Sequence, residues 1–226
     1  MTCRWRRSRP PAAAAKPRNN TAPVARIRLL VGLGNPGPQY SKTRHNAGFW
    51  FLDALVRREG ASLRPENRFQ GLVGKLEYAG QPLVLLQPQG YMNRSGHAVA
   101  AISRYWKIPP EAILVVHDEL DFPPGVVKAK QGGGHGGHNG LRDIVAQLGS
   151  PAFYRLRIGI GHPGDRAKVT DYVLGAPGRA ELEAITAAIG DALTREVLNH
   201  LLDGDIAQAM NRLARLQEAP RGGSPS

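Results

Sequence analysis

The sequence predicts a single three-layer α/β domain in which a central mixed β-sheet is flanked by helices. Short apolar runs alternate with segments of helical periodicity from residue 27 to residue 216. Two of the strand-like segments are joined by a short turn and form a hairpin, so part of the sheet is antiparallel. No linker divides the chain between Leu29 and Leu216. One sheet in one domain is therefore the expected architecture.

Strands are predicted where short apolar runs end at glycines or polar residues. The runs at 27–33 and 112–117 are typical of buried strands, and the turn Ala79-Gly80-Gln81 joins the two strands of the hairpin. The predicted strands are 27–33, 69–78, 82–87, 112–117, 126–130 and 154–161.

Helices are predicted where apolar residues recur every three or four positions. In residues 93–106, for example, Val99, Ile102 and Trp106 share one helical face. Between the elements lie a turn-rich loop at 34–44 and a loop at 131–140 that contains six glycines. The predicted helices are 45–59, 93–106, 141–148, 169–174, 179–202 and 206–216.

Positive charge is concentrated at the amino terminus of the chain. The formal net charge is +12, and eight lysines and arginines precede Leu29, whereas the first acidic residue is Asp53. The remainder of the chain is therefore only mildly basic. Residues 1–26 are predicted to be a disordered basic tail, 27–218 the folded domain and 219–226 a disordered end. The tail could be an organelle transit peptide, an arm that contacts nucleic acid, or a segment without function.

Composition excludes several classes of protein. The chain has no apolar run of the about 18 residues that a membrane-spanning helix needs. The tail lacks the apolar region of a secretory signal. Cys3 is the only cysteine, so an internal disulfide framework and a cysteine-cluster zinc site are excluded. A hydrophobic fraction of 42% argues against wholesale disorder.

The segment Gly32–Gly37 matches the G-x-G-x-x-G pattern of dinucleotide-binding proteins. In those proteins a helix begins within the motif and directs its amino terminus at the pyrophosphate. Here Pro36 and Pro38 delay the start of the helix, and Asp53, at the right distance for the ribose contact, falls inside the first helix. The glycines are better explained as a sharp turn that holds Asn35 at the carboxyl edge of the sheet.

Polar side chains follow several predicted strands, and loops at the carboxyl ends of strands converge in this architecture. A histidine and an aspartate meeting there suggest a general base with its orienting carboxylate, and asparagines suggest fixed neutral dipoles. No serine lies in a G-x-S-x-G turn, so a covalent nucleophile is not indicated. The residues concerned are Asn35, His45, Asn46, Asn93, Asp118, His138 and Asn139.

Each of these residues has a simpler explanation. His45 could be a helix-terminal residue without chemistry, Asp118 a solvated turn or helix cap, and Asn93 the N-cap of the next helix. His135 and His138 form an H-x-x-H pair that raises the question of zinc, but the glutamate of H-E-x-x-H is missing and the pair lies in a loop. Neither a metal nor a cofactor is expected.

Four separated segments together resemble the bacterial-type peptidyl-tRNA hydrolase family. They are VGLGNPGPQYSKTRHNAGFWFLD, YMNRSGHAV, ILVVHDELDFPPGVVKAKQGGGHGGHNGLRDI and YRLRIGIGHPG. The resemblance extends from about Arg28 to Leu216 and implies the peptidyl-tRNA hydrolase-like, or phosphorylase/hydrolase-like, fold. It also implies hydrolysis of the ester between a peptide and the 3′-terminal ribose of tRNA, which recycles tRNA from stalled translation and spares free aminoacyl-tRNA.

The resemblance also implies roles for individual residues. His45 would be the catalytic base, Asp118 its supporting acid, and Asn35 the residue that distinguishes a blocked from a free amino terminus. Lys128, Lys130 and Arg157 would hold tRNA phosphate. The tRNA end and the peptide would be bound by Tyr40, Tyr91, Asn93 and Asn139. Asn93 and backbone amides of the glycine-rich loop are also candidates for stabilising the oxyanion.

The expected partner is peptidyl-tRNA, with no membrane contact, and the expected state is a cytoplasmic monomer. Import into an organelle is the alternative if the tail is a transit peptide. Two other functions compete with the hydrolase: a non-catalytic, splicing-factor-like RNA-binding protein of the same fold, and a small-molecule oxidoreductase that uses Gly32–Gly37.

Overall fold

The computed structural model describes residues 26–218, so the predicted tails, apart from residue 26, lie outside it. Its described part contains one seven-stranded sheet with the strand order β2-β3-β4-β1-β5-β7-β6. The strands are β1 Leu29–Gly32, β2 Arg64–Glu66, β3 Gly71–Tyr78, β4 Gln81–Pro88, β5 Ile113–Glu119, β6 Val127–Gln131 and β7 Tyr154–Gly159.

The sheet is mixed, as predicted. Strands β4, β1, β5 and β7 are parallel to one another, while β2 and β3 at one edge and β6 at the other pair antiparallel with their neighbours. The hairpin between β3 and β4 turns on two residues, Ala79 and Gly80, both with positive φ (49° and 71°). Such a turn matches the twist of the strands that it joins.

Helices cover both faces of the sheet and complete the three layers. Leu114 and Val116 of β5 pack with one helical layer, and Ile113 and Val115 pack with the other, because successive side chains of a strand point to opposite faces. One layer contains α1 and α5–α7, and the other contains α2 and α3. The helices are α1 Ala47–Arg58, α2 Ser95–Trp106, α3 Asn139–Leu148, α4 Val169–Leu174, α5 Arg179–Ala192, α6 Arg195–Leu202 and α7 Ile206–Glu218.

Two elements differ from the prediction. Strand β2 was not predicted, because its three residues are all exposed and carry no apolar periodicity. The single helix predicted over 179–202 is wrong, since the chain breaks into α5 and α6. At the break Thr194 adopts an extended conformation (ψ 144°), and its hydroxyl donates to the Asp191 carbonyl at 2.8 Å. Apolar residues continue on both sides, so periodicity does not reveal the break. Within residues 26–218, none of these helices has the length and apolar character needed to span a bilayer.

The close packing of α1 on the sheet depends on Gly48. A Cβ atom at this position would overlap the Val116 carbonyl oxygen and the backbone of Leu33. Without it, the start of α1 lies directly on β1 and β5, and Phe49 donates its N–H to the Leu33 carbonyl at 3.1 Å. This contact brings the residues that precede α1 to the carboxyl end of β5.

Candidate active site

His45 and Asp118 are in contact although 73 residues separate them in the chain. The Nδ1 atom of His45 lies 2.9 Å from each carboxylate oxygen of Asp118. His45 belongs to the 3-10 turn Arg44–Asn46 directly before α1, and Asp118 lies near the end of β5. Because Nδ1 faces a carboxylate, it carries the hydrogen, and Nε2 keeps its lone pair.

A second imidazole, that of His138, shares the same carboxylate. Its Nε2 lies 3.1 Å from Oδ1 of Asp118, while its Nδ1 accepts the Leu141 N–H at 3.3 Å and so caps α3. The hydrogen is therefore on Nε2, and His138 donates to Asp118. The sequence placed His138 near the site without a role. Its position just before a helix was the available signal for the capping contact.

The contact between His45 and Asp118 shifts the pKa of both groups. Burial disfavours a charged His45, but the charge of Asp118 and its hydrogen bond outweigh this and raise the pKa of His45 above 6.5. Burial likewise disfavours a charged Asp118, but His45 and His138 hold the pKa of this carboxyl well below its usual 3.8. Asp118 is therefore anionic at neutral pH and stabilises a proton taken up by His45.

A third imidazole, that of His117, lies beside this network but is held neutral. Its Nδ1 donates to the Asp118 carbonyl at 2.6 Å, and its ring packs edge-on against His138 at 4.9 Å. Burial, followed by the electrostatic effect of the neighbouring His138, lowers the pKa of His117 to about 3. His117 therefore does not exchange protons near neutral pH. Periodicity identified it only as part of a strand.

His45, Asp118 and His138 line a cavity of about 750 Å³. Its polar wall includes the imidazole of His45 and the amide side chains at the ends of the strands. An apolar part of the lining comes from α4, through Val169, Val173 and Leu174. Of the predicted site residues, the cavity is lined by Asn35, His45, Tyr91, Asn93, Asp118 and Asn139.

Asn35 is held in place by contacts on both its backbone and its side chain. Its N–H donates to Oδ1 of Asn46 at 2.9 Å, its carbonyl accepts from Nδ2 of Asn46 at 3.0 Å, and its own Oδ1 accepts the Met92 N–H at 2.7 Å. The side-chain oxygen is thus occupied, which leaves the Nδ2 donor for the cavity. Asn46 was named in the sequence only as a neighbour of His45, and its structural role appears only in the fold.

Of the remaining predicted binding residues, Tyr91, Asn93 and Asn139 line the cavity, whereas Tyr40 lies outside its lining. Tyr91 is 58% exposed and meets Tyr40 edge-on, with 6.3 Å between the ring centroids. Asn93 and Asn139 are exposed. The interpretation of Asn93 as an N-cap is wrong, because Arg94 occupies that position of α2 and no side chain caps it.

The three predicted phosphate-binding residues lie together on β6 and β7, beside the cavity and outside its lining. Lys128 and Arg157 are paired across the two strands, and both lie over the Phe122 ring, at 5.0 and 4.6 Å. Arg157 lies 3.8 Å from Glu119, which lines the cavity. Burial, and then the neighbouring arginine charges, lower the pKa of Lys130. Three cations with one carboxylate, Glu119, paired among them suit an anionic ligand.

The structure explains the G-x-G-x-x-G and H-x-x-H motifs of the sequence without a nucleotide or a metal ion. Gly34 lies against the Phe49 ring, and the chain continues as a loop to Arg44, so no helix begins within Gly32–Gly37. Nδ1 of His135 accepts the Gly137 N–H at 3.1 Å. Among the residues described, a group close enough to share a metal ion is formed by His45, Asp118 and His138 rather than by the H-x-x-H pair. Direct hydrogen bonds already join these three side chains.

An imidazole with a free lone pair, backed by an anionic carboxylate at the edge of an open α/β sheet, is the arrangement that hydrolases use to activate water. A sequence profile described as peptidyl-tRNA hydrolase matches residues 29–221. The chain belongs to the peptidyl-tRNA hydrolase family, and the resemblance seen in its motifs is confirmed.

Individual relatives agree with this assignment. A peptidyl-tRNA hydrolase of Methylococcus capsulatus is 60% identical over 187 residues, which are 83% of this chain and 98% of that protein. One from Marinobacter nauticus is 53% identical over 194 residues, 86% of this chain and 98% of that protein. The crystal structure of peptidyl-tRNA hydrolase from Acinetobacter baumannii superposes with a TM-score of 0.79 at 49% identity and covers 83% of this chain and 94% of that one.

Proposed function

We propose that this chain hydrolyses the ester bond between a peptide and the 3′-terminal ribose of tRNA, with His45 as the general base. The observation that carries this proposal is the contact of His45 Nδ1 with both oxygens of the buried Asp118, at 2.9 Å. It leaves Nε2 of His45 as the proton acceptor on the cavity side. A water molecule that loses its proton to Nε2 attacks the ester carbonyl. The bond from the carbonyl carbon to the ribose oxygen then breaks, the ribose oxygen takes the proton back from His45, and tRNA and the peptide acid are released.

Asp118 supports this proton transfer in two ways. It keeps the His45 ring in the tautomer whose Nε2 can accept a proton, and it stabilises the imidazolium that forms. Positioned general-base catalysis of this kind contributes about 10²–10⁴-fold to the rate. His138 donates to the same carboxylate at 3.1 Å and so fixes its orientation.

The amide side chains at the cavity are suited to hold the substrate and its developing negative charge. Asn93 and Asn139 are exposed at the cavity, where each can donate to the oxyanion or to the peptide. Tyr40 and Tyr91 offer aromatic surface at the mouth for the bases at the tRNA end.

Asn35 provides a physical basis for sparing aminoacyl-tRNA. Its Oδ1 is bound to the Met92 N–H, so it presents only the Nδ2 donor to the cavity. A peptide carbonyl accepts from this donor. A free α-ammonium group is itself a donor, and would leave both groups unpaired.

Lys128, Lys130 and Arg157 supply sequence-independent attraction for tRNA phosphate. We propose that peptidyl-tRNA is the partner and that the chain acts as a monomer in the cytoplasm. Import into an organelle is the alternative if the predicted tail, residues 1–26, is a transit peptide. The splicing-factor alternative is not favoured, because the His45–Asp118 pair is assembled.

The test is single-turnover hydrolysis of an N-acetyl-aminoacyl-tRNA by the wild-type chain and by His45→Ala. The variant is expected to lose about 10²–10⁴-fold in rate while it still binds the tRNA. Equal loss of hydrolysis and binding in a folded variant would show that His45 is structural. An inactive wild-type chain that binds tRNA would instead favour the RNA-binding protein.

A further inference from the structure

The glycine-rich loop that was predicted at 131–140 is, in the structure, the segment 132–138 between β6 and α3. It carries His138 into the site, but few hydrogen bonds fix its backbone. The Gly132 N–H donates to the Phe153 carbonyl at 2.9 Å. The next bonds are local, since the N–H groups of Gly137 and His138 both bond to His135. Gly132, Gly133, Gly136 and Gly137 all have positive φ, a conformation that glycine adopts at little energetic penalty but that does not restrain the loop.

The middle of this loop is held by one buried side chain, that of Arg155 on β7. Its Nη1 donates to the Gly134 carbonyl at 2.5 Å and its Nη2 to the Gly133 carbonyl at 2.6 Å. The guanidinium also lies 4.8 Å from the centre of the Phe153 ring, and Arg155 as a whole is only 1% exposed. Two parallel donors match two successive carbonyls, a geometry that the single ammonium of lysine cannot reproduce.

Ion pairing does not explain this arginine. Among the described residues no carboxylate forms an ion pair with it, and its buried Nε has no hydrogen-bond partner. Burial, and then the charge of Arg157, lower the pKa of Arg155, while Glu119 only partly opposes this. Lys130 lies opposite it on β6. A buried cation without a paired anion destabilises a fold, and an apolar residue of similar size is often tolerated or preferred.

We propose that Arg155 is a positioning residue for the hydrolysis: it fixes the glycine-rich loop so that His138 stays on Asp118. Gly134, whose carbonyl Arg155 holds, is followed directly by the His135–His138 turn. This turn ends at the imidazole that donates to Asp118 and caps α3. Displacement of the loop would therefore move one of the two donors that orient the carboxylate behind His45. The inference rests on the proposed roles of His45 and Asp118.

The test compares Arg155→Met with Arg157→Met, a matched change two residues away on the same face of β7. Arg155→Met is expected to lower kcat about 10–100-fold, the loss typical of a misplacement of about 1 Å, with KM changed less than about threefold. Its melting temperature is expected to be unchanged or higher, because a buried charge is removed. Arg157→Met is expected to raise KM and to change kcat much less, since Arg157 faces the phosphate site.

Two further measurements separate positioning from structure. Hydrogen exchange of Arg155→Met is expected to increase in residues 132–140 and not in the core strands. In Arg155→Ala, millimolar guanidinium is expected to restore part of kcat, whereas sodium chloride at equal ionic strength is not. If Arg155→Met fails to fold, Arg155→Ala and its rescue decide the question.

The proposal is overturned if Arg155→Met keeps wild-type kcat, if its defect lies in KM as for Arg157→Met, or if guanidinium rescues nothing. Such results leave the general-base proposal intact, because His45→Ala and the wild-type chain are measured in the same assay. An inactive wild-type chain would instead remove the basis of both proposals.

Discussion

Replacing Asp118 with asparagine removes one acceptor from the centre of the site with almost no change in volume. The carboxylate accepts from His45 at 2.9 Å and from His138 at 3.1 Å. Both imidazoles contact Oδ1, but Nδ1 of His45 also lies 2.9 Å from Oδ2, and an asparagine places a donor NH₂ group at one of these two positions. If His45 faces the new NH₂ group, its Nδ1 must accept a hydrogen bond. Its proton then moves to Nε2, the atom that has to receive the proton of water.

The magnitude of the effect follows from these contacts. The variant loses the correct tautomer and the stabilisation of the imidazolium together, and general-base catalysis contributes about 10²–10⁴-fold. We therefore expect kcat of Asp118→Asn to fall by about 10²–10⁴-fold. KM is expected to change little, because the phosphate-binding cations on β6 and β7 are untouched.

The pH dependence gives an independent check. His45 acts as a base only when neutral, so wild-type kcat/KM rises with pH through the pKa of His45, which Asp118 raises above 6.5. In Asp118→Asn this attraction is lost and burial remains, so the residual activity is expected to rise at a lower pH.

The stability of the pair follows the same linkage. The His45 contribution is present below pH 6.5 and is lost as pH rises through the raised pKa of His45. The Asp118 contribution is present above pH 3.8 and is lost as pH falls through the lowered pKa of Asp118. The loss of unfolding free energy in Asp118→Asn is therefore expected to be greatest between these two values.

The assay is steady-state hydrolysis of N-acetyl-aminoacyl-tRNA from pH 5 to about 9, with urea unfolding measured on the same preparations. Asp143→Asn is a suitable control, because Asp143 also lies near a histidine, His97 at 3.7 Å, but outside the cavity. A variant that keeps kcat within about threefold of wild type, or whose activity rises at the same pH, would refute the assignment of Asp118 as the partner of a general base.

Three other outcomes test the structure. Gly48→Ala is expected to lower the unfolding free energy by about 1–3 kcal/mol, because the new methyl group would overlap the Val116 carbonyl. Gly190→Ala, in an open position of α5, is expected to raise the unfolding free energy by about 0.5–1 kcal/mol. Equal effects of the two changes in urea unfolding would contradict the close packing of α1. Lys128→Ala is expected to weaken tRNA binding and to flatten its logarithmic salt dependence by about 0.9, and an unchanged slope would place the phosphate elsewhere. Dialysis against EDTA is expected to leave kcat unchanged, because hydrogen bonds join His45, Asp118 and His138; activity lost and then restored by zinc would identify these residues as metal ligands.

Most of the fold could be predicted because its signals are local. The apolar run of β5 and the helical periodicity of α2 depend only on neighbouring residues. Strand β2 and the break at Thr194 could not be predicted, since neither changes the apolar pattern. Both depend on contacts, the pairing of β2 with β3 and the hydrogen bond from Thr194 to Asp191.

The residue types that form the site could also be predicted from the sequence. Parallel strands place their carboxyl ends at one edge, so the sequence alone indicated that His45, Asp118 and the asparagines converge there. The individual contacts were not visible. Asp118 accepts hydrogen bonds from His138 as well as from His45, and Asn46 is hydrogen-bonded to Asn35. These contacts depend on side-chain directions that are set by packing across the sheet.

The sequence by itself thus determined the layers of the fold, the family and the residue types at the sheet edge, because these depend on periodicity and on motifs of adjacent residues. Only the tertiary structure decided which nitrogen of His45 is free, which donors share Asp118 and which buried cation holds the glycine-rich loop. These are hydrogen bonds between residues distant in the chain, and their geometry exists only after the core has packed.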